Sequence, residues 1–368
     1  MKVLLIHNYY QFWGGEDTYV TSLQKLLTEN GHAVILYTKD SKNIKTIWDK
    51  IKAGLGLFWS PQVAKELREI IKREKPDVAH FNNIYPLIGA TSYHICKKNK
   101  IKIVQTIHNY RFMCPKGILF RDGKICELCV KKKFFSPAIR FGCYHGSRLA
   151  SLFYSFAFFI HKNLGITSSI DTFIFPSKFT QQYYEKNLKI PRSKSVYLPY
   201  FVDLKVPKKQ VKREDWYLYV GRLSEEKGII QLLDIFKTMP GYMLKVIGEG
   251  PLREKVSSYS KYKNIRILNH IDRNKLISFY RKTRALIIPS LWNEVLPIVL
   301  VEALFLGTPI ITRCSSLKKV LTRNKNIIYS PTLDRNHFLQ ARVKADKNKT
   351  KKAVENKNIM RKTLKMYG

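Results

Sequence analysis

The sequence lacks a long apolar run, which excludes a membrane-spanning helix of ordinary length. A helix needs about 20 apolar residues to cross a bilayer, and the most apolar segment, residues 149–160 (LASLFYSFAFFI), is only twelve residues long. The run at residues 3–6 is too short for the hydrophobic region of a secretion signal. Cysteines are also few, six in 368 residues, and without a signal they indicate a reducing cytoplasm rather than a disulfide scaffold.

Acidic residues are scarce: Asp and Glu number 27 against 66 Lys and Arg, a net charge of +39. A hydrophobic content of 45% with 12% aromatic residues excludes a wholly disordered basic protein, because such a chain can bury large cores. The excess charge favours an anionic partner, which could be nucleic acid, a membrane surface or a phosphorylated ligand. Composition does not choose among these three classes.

Short apolar runs of strand type alternate with helical patterns along most of the chain. Segments such as 17–30 and 61–75 carry apolar residues every three or four positions, which is typical of amphipathic helices. This alternation predicts parallel sheets covered by helices on both faces. The predicted strands are residues 3–6, 33–37, 78–81, 103–107 and 172–175 in the first half, and 216–220, 244–247, 265–268, 286–288, 310–312 and 327–329 in the second.

The charged stretch 205–215 interrupts the alternation. We therefore predict two doubly wound α/β domains, residues 1–200 and 201–340, followed by a basic tail, 341–368, that is helical or partly disordered. Ligands of such folds bind outside the carboxyl ends of the strands. The candidate site residues are accordingly those in the loops that follow strands.

One such loop, residues 221–228 (GRLSEEKG), follows the predicted strand 216–220. Arg222 and Lys227 flank a predicted helix N-terminus, where backbone N–H groups and the helix dipole favour negative charge. Arginine adds a bidentate fork suited to phosphate oxygens. The loop therefore predicts a diphosphate site, the alternative being an ordinary solvated turn.

Two glutamates, Glu294 and Glu302, lie eight positions apart after the strand 286–288. Pro297 fits the first turn of a helix, which places Glu294 in the loop and Glu302 inside the helix. Eight helical residues turn about 80° beyond two full turns, so both carboxylates could face one cleft and accept hydrogen bonds from sugar hydroxyls. Taken alone, each glutamate indicates only a surface charge of the helix; the preceding strand and the loop with Arg222 and Lys227 favour the site.

These two strings, in this order, resemble the retaining glycosyltransferases of family 4. The resemblance implies the GT-B architecture, two Rossmann-like domains that face a central cleft. It also implies that Arg222 and Lys227 bind the pyrophosphate of a nucleotide sugar. Glu294 would contact the donor sugar as a catalytic residue, and Glu302 would contact the ribose hydroxyls.

The first domain adds two features that the same family has. Gly14 and Gly15 lie between the first strand and the first helix, like the glycine-rich loop near the donor phosphates. His108 follows the strand 103–107 directly, where the family places a histidine near the reacting centre, and would position the donor sugar or acceptor. Without the family, the glycines indicate only a turn and the histidine a structural side chain.

The sequence contains no Asp-x-Asp motif, so we expect no metal bridge to the diphosphate and no cofactor for catalysis. Arg222, Lys227 and backbone dipoles would stabilise the leaving group instead. Two departures from the family are visible. Residues 313–319 (RCSSLKK) replace its Gly-Gly turn, and the tail lacks a clear pattern for the last helix, which in the family returns to the first domain.

Four cysteines, Cys114, Cys126, Cys129 and Cys143, are spaced C-x11-C-x2-C-x13-C within a predicted insertion, residues 109–148. This spacing is compatible with a structural zinc site that would order a polar loop. The alternatives are ordinary thiols or an occasional disulfide.

The basic stretch 131–148 precedes the aromatic helix 149–159. Basic residues beside an apolar helix suit an anionic bilayer surface, although the helix could instead be buried in the first domain. The expected localisation is cytoplasmic and peripheral, at the inner face of the plasma membrane.

The sequence as a whole predicts a retaining glycosyltransferase of cell-surface polysaccharide synthesis. It would move a hexose from a UDP- or GDP-type nucleotide sugar to a glycan or a polyprenyl-diphosphate-linked glycan. The main alternative is a basic nucleic-acid-binding protein, but the charge is spread along the chain and no helix-turn-helix or aromatic RNA-binding signature is present. A nicotinamide-dependent enzyme ranks last, because no Gly-x-Gly-x-x-Gly follows the first strand.

Overall fold

The computed structural model describes residues 1–204, 211–269, 271–318, 326–347 and 356–367. The chain forms two compact units. The first comprises Met1–Leu119, Cys126–Pro199 and Asn358–Gly368, and the second comprises Phe120–Ile125 and Tyr200–Lys357. None of the helices within the described ranges combines the length and the apolar character needed to cross a bilayer.

The strands belong to two parallel sheets and one small hairpin. In chain order they are β1 (Lys2–Tyr9), β2 (Ala33–Asp40), β3 (Val78–Phe81), β4 (Lys102–Thr106), β5 (Phe120–Arg121), β6 (Lys124–Ile125), β7 (Thr172–Phe175), β8 (Ser195–Tyr197), β9 (Trp216–Val220), β10 (Met243–Ile247), β11 (Ile265–Leu268), β12 (Ala285–Ile288), β13 (Ile310–Thr312) and β14 (Ile327–Tyr329). Every strand predicted from the sequence is present. The short strand β8 and the antiparallel hairpin β5–β6 were not predicted.

The helices connect and cover these strands. In chain order they are α1 (Gly15–Glu29), α2 (Ile47–Gly56), α3 (Pro61–Glu74), α4 (Thr91–Lys98), α5 (Ser136–Arg140), α6 (Arg148–Asn163), α7 (Ile166–Ser169), α8 (Lys178–Leu188), α9 (Ile229–Lys237), α10 (Arg253–Ser257), α11 (Arg273–Lys282), α12 (Ile298–Phe305), α13 (Arg335–Lys347) and α14 (Asn356–Lys365).

The first unit is built on a parallel sheet with strand order β2-β1-β3-β4-β7-β8. Its central strands are buried on both faces because their sequences are almost continuously apolar; Val3, Leu4, Leu5 and Ile6 of β1 are fully buried. Strand β1 pairs with β2 on one side and β3 on the other. The strand order reverses between β1 and β3, so the loops after these strands open outward at that point.

The second unit repeats this logic with strand order β11-β10-β9-β12-β13-β14. Its core packs the apolar face of α9 against the sheet, with Leu232, Leu233 and Phe236 fully buried against Tyr217. The strand order reverses between β9 and β12. The loops after these two strands carry the two strings on which the functional prediction rests. The doubly wound α/β prediction is therefore confirmed for both units.

The structure divides the chain differently from the sequence prediction in two places. The hairpin β5–β6 groups with the second unit although it lies within the predicted insertion of the first. At the other end, the chain returns to the first unit after α13, and the side chain of Tyr367 is buried there in hydrogen-bond contact with His80 of β3. The returning segment is therefore present, although the sequence shows no clear pattern for it. Residues 348–355 of the predicted tail lie outside the described residues.

Candidate active site

The loop after β9 is held against the loop after β12 by a backbone contact that only glycine permits. Gly228 follows the short turn Glu225–Lys227 and has a φ of 69°. A Cβ atom at this position would lie 2.3 Å from the carbonyl oxygen of Pro289. The backbone N–H of Leu291 also donates to the carbonyl oxygen of Glu226 at 2.9 Å. The two loops therefore form one surface at the carboxyl edge of the sheet.

The structure brings together two of the predicted site residues on this surface, Lys227 and Glu294. The Nζ atom of Lys227 lies 2.6 Å from Oε1 of Glu294, and the hydroxyl of Ser290 donates to the same oxygen at 2.6 Å. The Lys227 ammonium also lies over the ring of Trp292, 5.3 Å from its centroid. Glu294 is 5% exposed and Lys227 is 23% exposed. The lysine therefore supplies the charge that a buried carboxylate requires.

The second predicted cation, Arg222, lies five residues before Lys227 in the same loop. Its side chain is exposed, while its carbonyl oxygen accepts a hydrogen bond of 2.8 Å from the Tyr219 hydroxyl. The backbone of the loop is thus anchored and the guanidinium remains accessible. Arg222 and Lys227 occupy the same loop, as the sequence predicts, with different degrees of burial.

Glu302 lies one to two turns into α12, with different partners from those of Glu294. The hydroxyl of Tyr280 donates to Oε2 at 3.0 Å, and Arg273 contacts Oε1 at 3.4 Å. Glu302 is 4% exposed, and this burial raises the pKa of its carboxyl above the ordinary value, against the opposing effect of Arg273. Within the described part of the chain, the hydrogen bonds of Glu294 and Glu302 share no partner.

Two further glycines of this site were missed by the sequence analysis. Gly248 and Gly250 follow β10. A Cβ atom at Gly248 would lie 1.9 Å from the carbonyl oxygen of Gly221, and one at Gly250 would lie 2.5 Å from that of Leu223. The loop after β10 therefore lies directly against the Arg222 loop. The string Gly-x-Gly-Pro immediately after a predicted strand is the signal that could have identified it.

The segment that replaces the family's Gly-Gly turn supports the Glu294 loop. The hydroxyl of Ser316 donates to the carbonyl oxygen of Glu294 at 2.8 Å, and that of Ser315 donates to Oδ1 of Asn293 at 3.3 Å. The thiol of Cys314 donates to the carbonyl oxygen of Trp292 at 3.2 Å. This departure from the family pattern therefore fixes the backbone of residues 292–294 through side chains.

In the first unit, Gly14 and Gly15 begin α1, and Asp17 of this helix connects Gly14 to His7 of β1. The backbone N–H of Gly14 donates to Oδ2 of Asp17 at 2.7 Å, and the other oxygen of Asp17 lies 2.8 Å from Nε2 of His7. Both His7 and Asp17 are fully buried. Gly14 has an ordinary φ of −127°. Its conformation therefore does not itself require glycine.

His108 follows β4 and contacts the loop that follows β3. Its Nε2 atom lies 2.9 Å from Oδ1 of Asn82, so the ring donates from Nε2 when the Asn82 amide is oriented in this way. Burial, together with His7 and His80, holds the pKa of His108 well below its usual range. The imidazole is therefore neutral at pH 7, which suits a positioning role better than proton donation. It lines a cavity of about 30 Å³, room for about one water molecule.

Glu16, in the first turn of α1, is a titratable group that the sequence analysis did not identify. The Tyr10 hydroxyl donates to Oε2 of Glu16 at 2.9 Å, and Oε1 of Glu16 is buried without a hydrogen-bond partner among the described residues. Burial and the neighbouring Asp17 raise the pKa of Glu16 to about 8, although Tyr10 and Arg111 oppose this shift. Its sequence signal is weak, because acidic residues at a helix start are common.

The four cysteines of the predicted zinc set all belong to the first unit. Burial, then the neighbouring Cys114, Cys143 and Cys126 thiols, raise the pKa of Cys129 to about 12. Within the described ranges, no group of three or more His, Cys, Asp or Glu side chains is arranged to hold a metal ion. The zinc site stays a prediction.

The loop that carries these cysteines is less polar than the sequence suggests. The loop is not too polar to form a core, because Phe135 and Tyr144 pack with Tyr154 and Phe158 of α6. Cys129 is part of the same buried cluster.

Comparisons with known proteins identify the family of this chain. Residues 13–206, more than half of the chain, match the family described as Glycosyltransferase Family 4. The chain belongs to that family. Residues 203–363 match the family described as Glycosyl transferases group 1. Both are glycosyltransferase families, so the comparisons do not support the nucleic-acid-binding alternative.

Relatives of this glycosyltransferase extend over most of its length. An uncharacterized 42.6 kDa protein in the cps region of Klebsiella pneumoniae is 24% identical and covers 85% of this chain and 85% of its own. An uncharacterized glycosyltransferase of Methanocaldococcus jannaschii is 26% identical, with 89% and 83% covered.

Solved structures place the fold of this glycosyltransferase in the GT-B class. Sucrose-phosphate synthase of Thermosynechococcus elongatus superposes with a TM-score of 0.64 at 16% identity, covering 100% of this chain and 95% of its own. The Anabaena protein HepE, in complex with UDP and glucose, gives 0.61 at 13% identity, with 99% and 95% covered. At these identities the likeness establishes the fold, and the GT-B prediction is confirmed.

Proposed function

We propose that this glycosyltransferase is a retaining hexosyltransferase that uses a nucleotide-diphosphate sugar of the UDP or GDP type. The observation that carries the proposal is the group formed by Lys227, Glu294 and Ser290 where the loops after β9 and β12 meet. The exposed Arg222 belongs to the same loop as Lys227. Two cations and a buried carboxylate are the groups needed to bind a diphosphate and an attached sugar. The presence of UDP and glucose in the HepE structure supports a donor of this class.

The ion pair between Lys227 and Glu294 is the element that donor binding would rearrange. A diphosphate carries more negative charge than one carboxylate and attracts the Lys227 ammonium, which is already partly exposed. When Lys227 turns to the diphosphate, Glu294 keeps its hydrogen bond from Ser290 and gains acceptor capacity for sugar hydroxyls. Donor binding would thus prepare the carboxylate that orients the sugar.

The transfer step needs a stabilised leaving group. The bond between the anomeric carbon and the diphosphate oxygen breaks, and Arg222 and Lys227 stabilise the charge that develops on the diphosphate. The acceptor oxygen then bonds to the anomeric carbon on the same face, and its proton passes to an oxygen of the leaving diphosphate. No metal is required in this scheme, because the two cations take the part that a metal-binding Asp-x-Asp motif plays in other enzymes.

The proposed acceptor is a glycan or a polyprenyl-diphosphate-linked glycan in cell-surface polysaccharide synthesis. The relative in the cps region of Klebsiella pneumoniae supports this setting. Such acceptors lie at the cytoplasmic face of a membrane, and the net charge of +39 favours attachment to anionic lipid. The proposed location is therefore cytoplasmic and peripheral, at the inner face of the plasma membrane.

Thermal stabilisation by a panel of UDP-, GDP- and ADP-sugars tests the donor assignment. We expect one UDP- or GDP-sugar to raise the Tm of the wild-type protein and to be hydrolysed slowly without acceptor. Arg222→Ala should abolish this stabilisation, whereas Lys237→Ala, an exposed lysine of α9, should not. Full donor affinity and turnover in Arg222→Ala would show that the phosphate assignment is wrong. The anomeric configuration of the product, read by NMR, tests retention.

A further inference from the structure

Helix α6 has two contrasting faces. Ser151, Tyr154, Ser155, Ala157 and Phe158 are buried in the first unit. On the opposite side the helix exposes four large apolar side chains at intervals of three and four residues: Leu149 (64% exposed), Leu152 (43%), Phe153 (38%) and Phe156 (50%). Residues three and four apart lie on one helix face. The interpretation of this helix as buried therefore holds for one of its faces, and the other face is open to solvent.

Helix α2 presents a second apolar stripe that the sequence analysis did not identify. Its exposed side chains are Ile47 (64%), Trp48 (69%), Ile51 (45%) and Leu55 (58%), and none of its residues is buried. The helix nevertheless has a complete capping box, in which Thr46 and Asp49 each accept the other's backbone N–H, at 3.1 and 2.8 Å. A well-capped helix whose large apolar side chains all face solvent is typical of an interaction site.

The two stripes belong to one surface. Helix α2 lies against α6, and Phe58, just after α2, contacts both Phe153 and Phe156 with ring centroids 6.1 Å apart. We call the exposed apolar side chains of these two helices the α2–α6 face: Ile47, Trp48, Ile51, Leu55, Leu149, Leu152, Phe153 and Phe156. Monomeric proteins rarely expose so many large apolar groups together.

The charged residues of these two helices indicate which kind of partner the face binds. Helix α6 contains no acidic residue; it begins at Arg148 and carries Lys162 near its end. Helix α2 carries Lys50 and Lys52, against the single Asp49 of the capping box. Apolar side chains, including a tryptophan, flanked by lysine and arginine are the composition of helices that lie in the interface of an anionic bilayer.

We propose that the α2–α6 face is the surface by which this protein docks on an anionic lipid bilayer. The apolar side chains enter the boundary between headgroups and acyl chains, and the flanking lysines and arginines contact lipid phosphates. At 1.5 Å per residue, the 16 residues of α6 extend about 24 Å, which suits a helix lying along the surface. This inference deepens the proposed function, since it names the surface that meets a lipid-linked acceptor.

Flotation of the full chain with vesicles tests the proposal. We expect binding to vesicles of phosphatidylcholine and phosphatidylglycerol (7:3), weak binding to phosphatidylcholine alone, and weakening of the former by salt. The double variant Trp48→Glu/Phe153→Glu should bind at least about tenfold more weakly. Val343→Glu, at a 51% exposed position of the second unit, is the matched control and should bind like the wild type.

Fluorescence gives a second readout that does not require a disruptive variant. Vesicles with brominated acyl chains should quench tryptophan emission in the wild type, and Trp48→Phe should lose most of that quenching while still binding. Equal quenching in the two proteins would contradict insertion of α2. Undiminished flotation of the double variant would overturn the proposal.

Two further outcomes separate this inference from its rivals. A wild-type dimer that becomes monomeric in the double variant, with no vesicle binding by either, would make the face an interface between two copies and would overturn lipid docking. Donor binding separates the inference from the proposed function. The double variant should keep its stabilisation by the nucleotide sugar, whereas Arg222→Ala should lose that stabilisation and still float with the vesicles.

Discussion

The two units hold their candidate functional residues in different ways. In the second unit, Lys227 and Glu294 form an ion pair between two adjacent loops, and their backbones touch through Gly228. In the first unit, His108 is a neutral ring fixed by Asn82, 26 positions earlier in the chain. The second site therefore depends on charge, and the first on hydrogen bonds between neutral groups. Substitutions that remove a charge should distinguish the units most sharply.

Removal of the Lys227 ammonium should have the largest effect. Lys227→Ala removes a cation that would stabilise the leaving diphosphate, and we expect kcat to fall by about 10²–10³. It also leaves Glu294 buried without its counter-charge, so the Tm should fall as well. Steady-state kinetics and thermal unfolding measure the two effects.

A double variant separates these two consequences of losing Lys227. Lys227→Ala/Glu294→Gln removes the orphaned charge, so it should recover most of the Tm and none of the activity. The Lys237→Ala protein provides the control for loss of an exposed lysine. Normal turnover in Lys227→Ala would contradict the conclusion that the site of the second unit depends on charge.

The glycine contact between the loops should have the next largest effect, on stability. Gly228→Ala places a Cβ atom 2.3 Å from the Pro289 oxygen in a left-handed conformation, and we expect a loss of about 2–4 kcal/mol in the free energy of unfolding. Gly241→Ala is the matched control, since nothing lies within 4 Å of its added Cβ. Denaturant unfolding compares the two, and equal stabilities would show that the loops adapt to each other.

His108 tests the neutral site of the first unit. His108→Gln should lower sugar transfer by about 10–100-fold through misplacement of substrate, with thermal stabilisation by the donor little changed. Because the pKa of His108 lies well below its usual range, the pH–rate profiles of the wild type and the variant should have the same shape around pH 6.5. A limb near pH 6.5 in the wild type alone would mean that the ring titrates during turnover and acts as an acid or base.

The same contrast explains how much could be predicted from the sequence. The strands and the Arg222 loop follow from local residues: buried strands read as apolar runs, and Gly228 is required where two backbones meet. The pairing of Lys227 with Glu294 spans 67 positions, yet both lie in recognisable strings. Family resemblance, rather than spacing, supplied their roles.

What could not be predicted depends on contacts that leave no local pattern. Tyr367 reaches His80 across 287 positions, which a Lys-rich tail does not suggest. The exposed stripe on α2 has ordinary amphipathic spacing, and only the structure shows that the apolar side faces solvent. Sequence periodicity identifies an apolar face but not what covers it.

The titration of Glu16 should have the smallest effect and refines the contrast within the first unit. The pKa of Glu16 in the folded protein, about 8, lies above its ordinary value of 4.5. Between these pH values the folded state therefore holds a proton that the unfolded chain has released. Stability should fall as pH rises through this window.

The titration of Glu16 adds to the slope of stability against pH a contribution equivalent to at most about one bound proton per molecule. Glu16→Gln should remove this contribution. It should change turnover by less than about threefold, because the amide keeps the shape of a protonated carboxyl. Denaturant unfolding at a series of pH values from 5 to 8.5 measures the difference. Glu69→Gln, an exposed glutamate of α3, is the control. Parallel curves for wild type and Glu16→Gln would mean that Arg111 keeps the carboxylate ionised, and the buried cluster would then resemble the charged site of the second unit rather than the neutral site around His108.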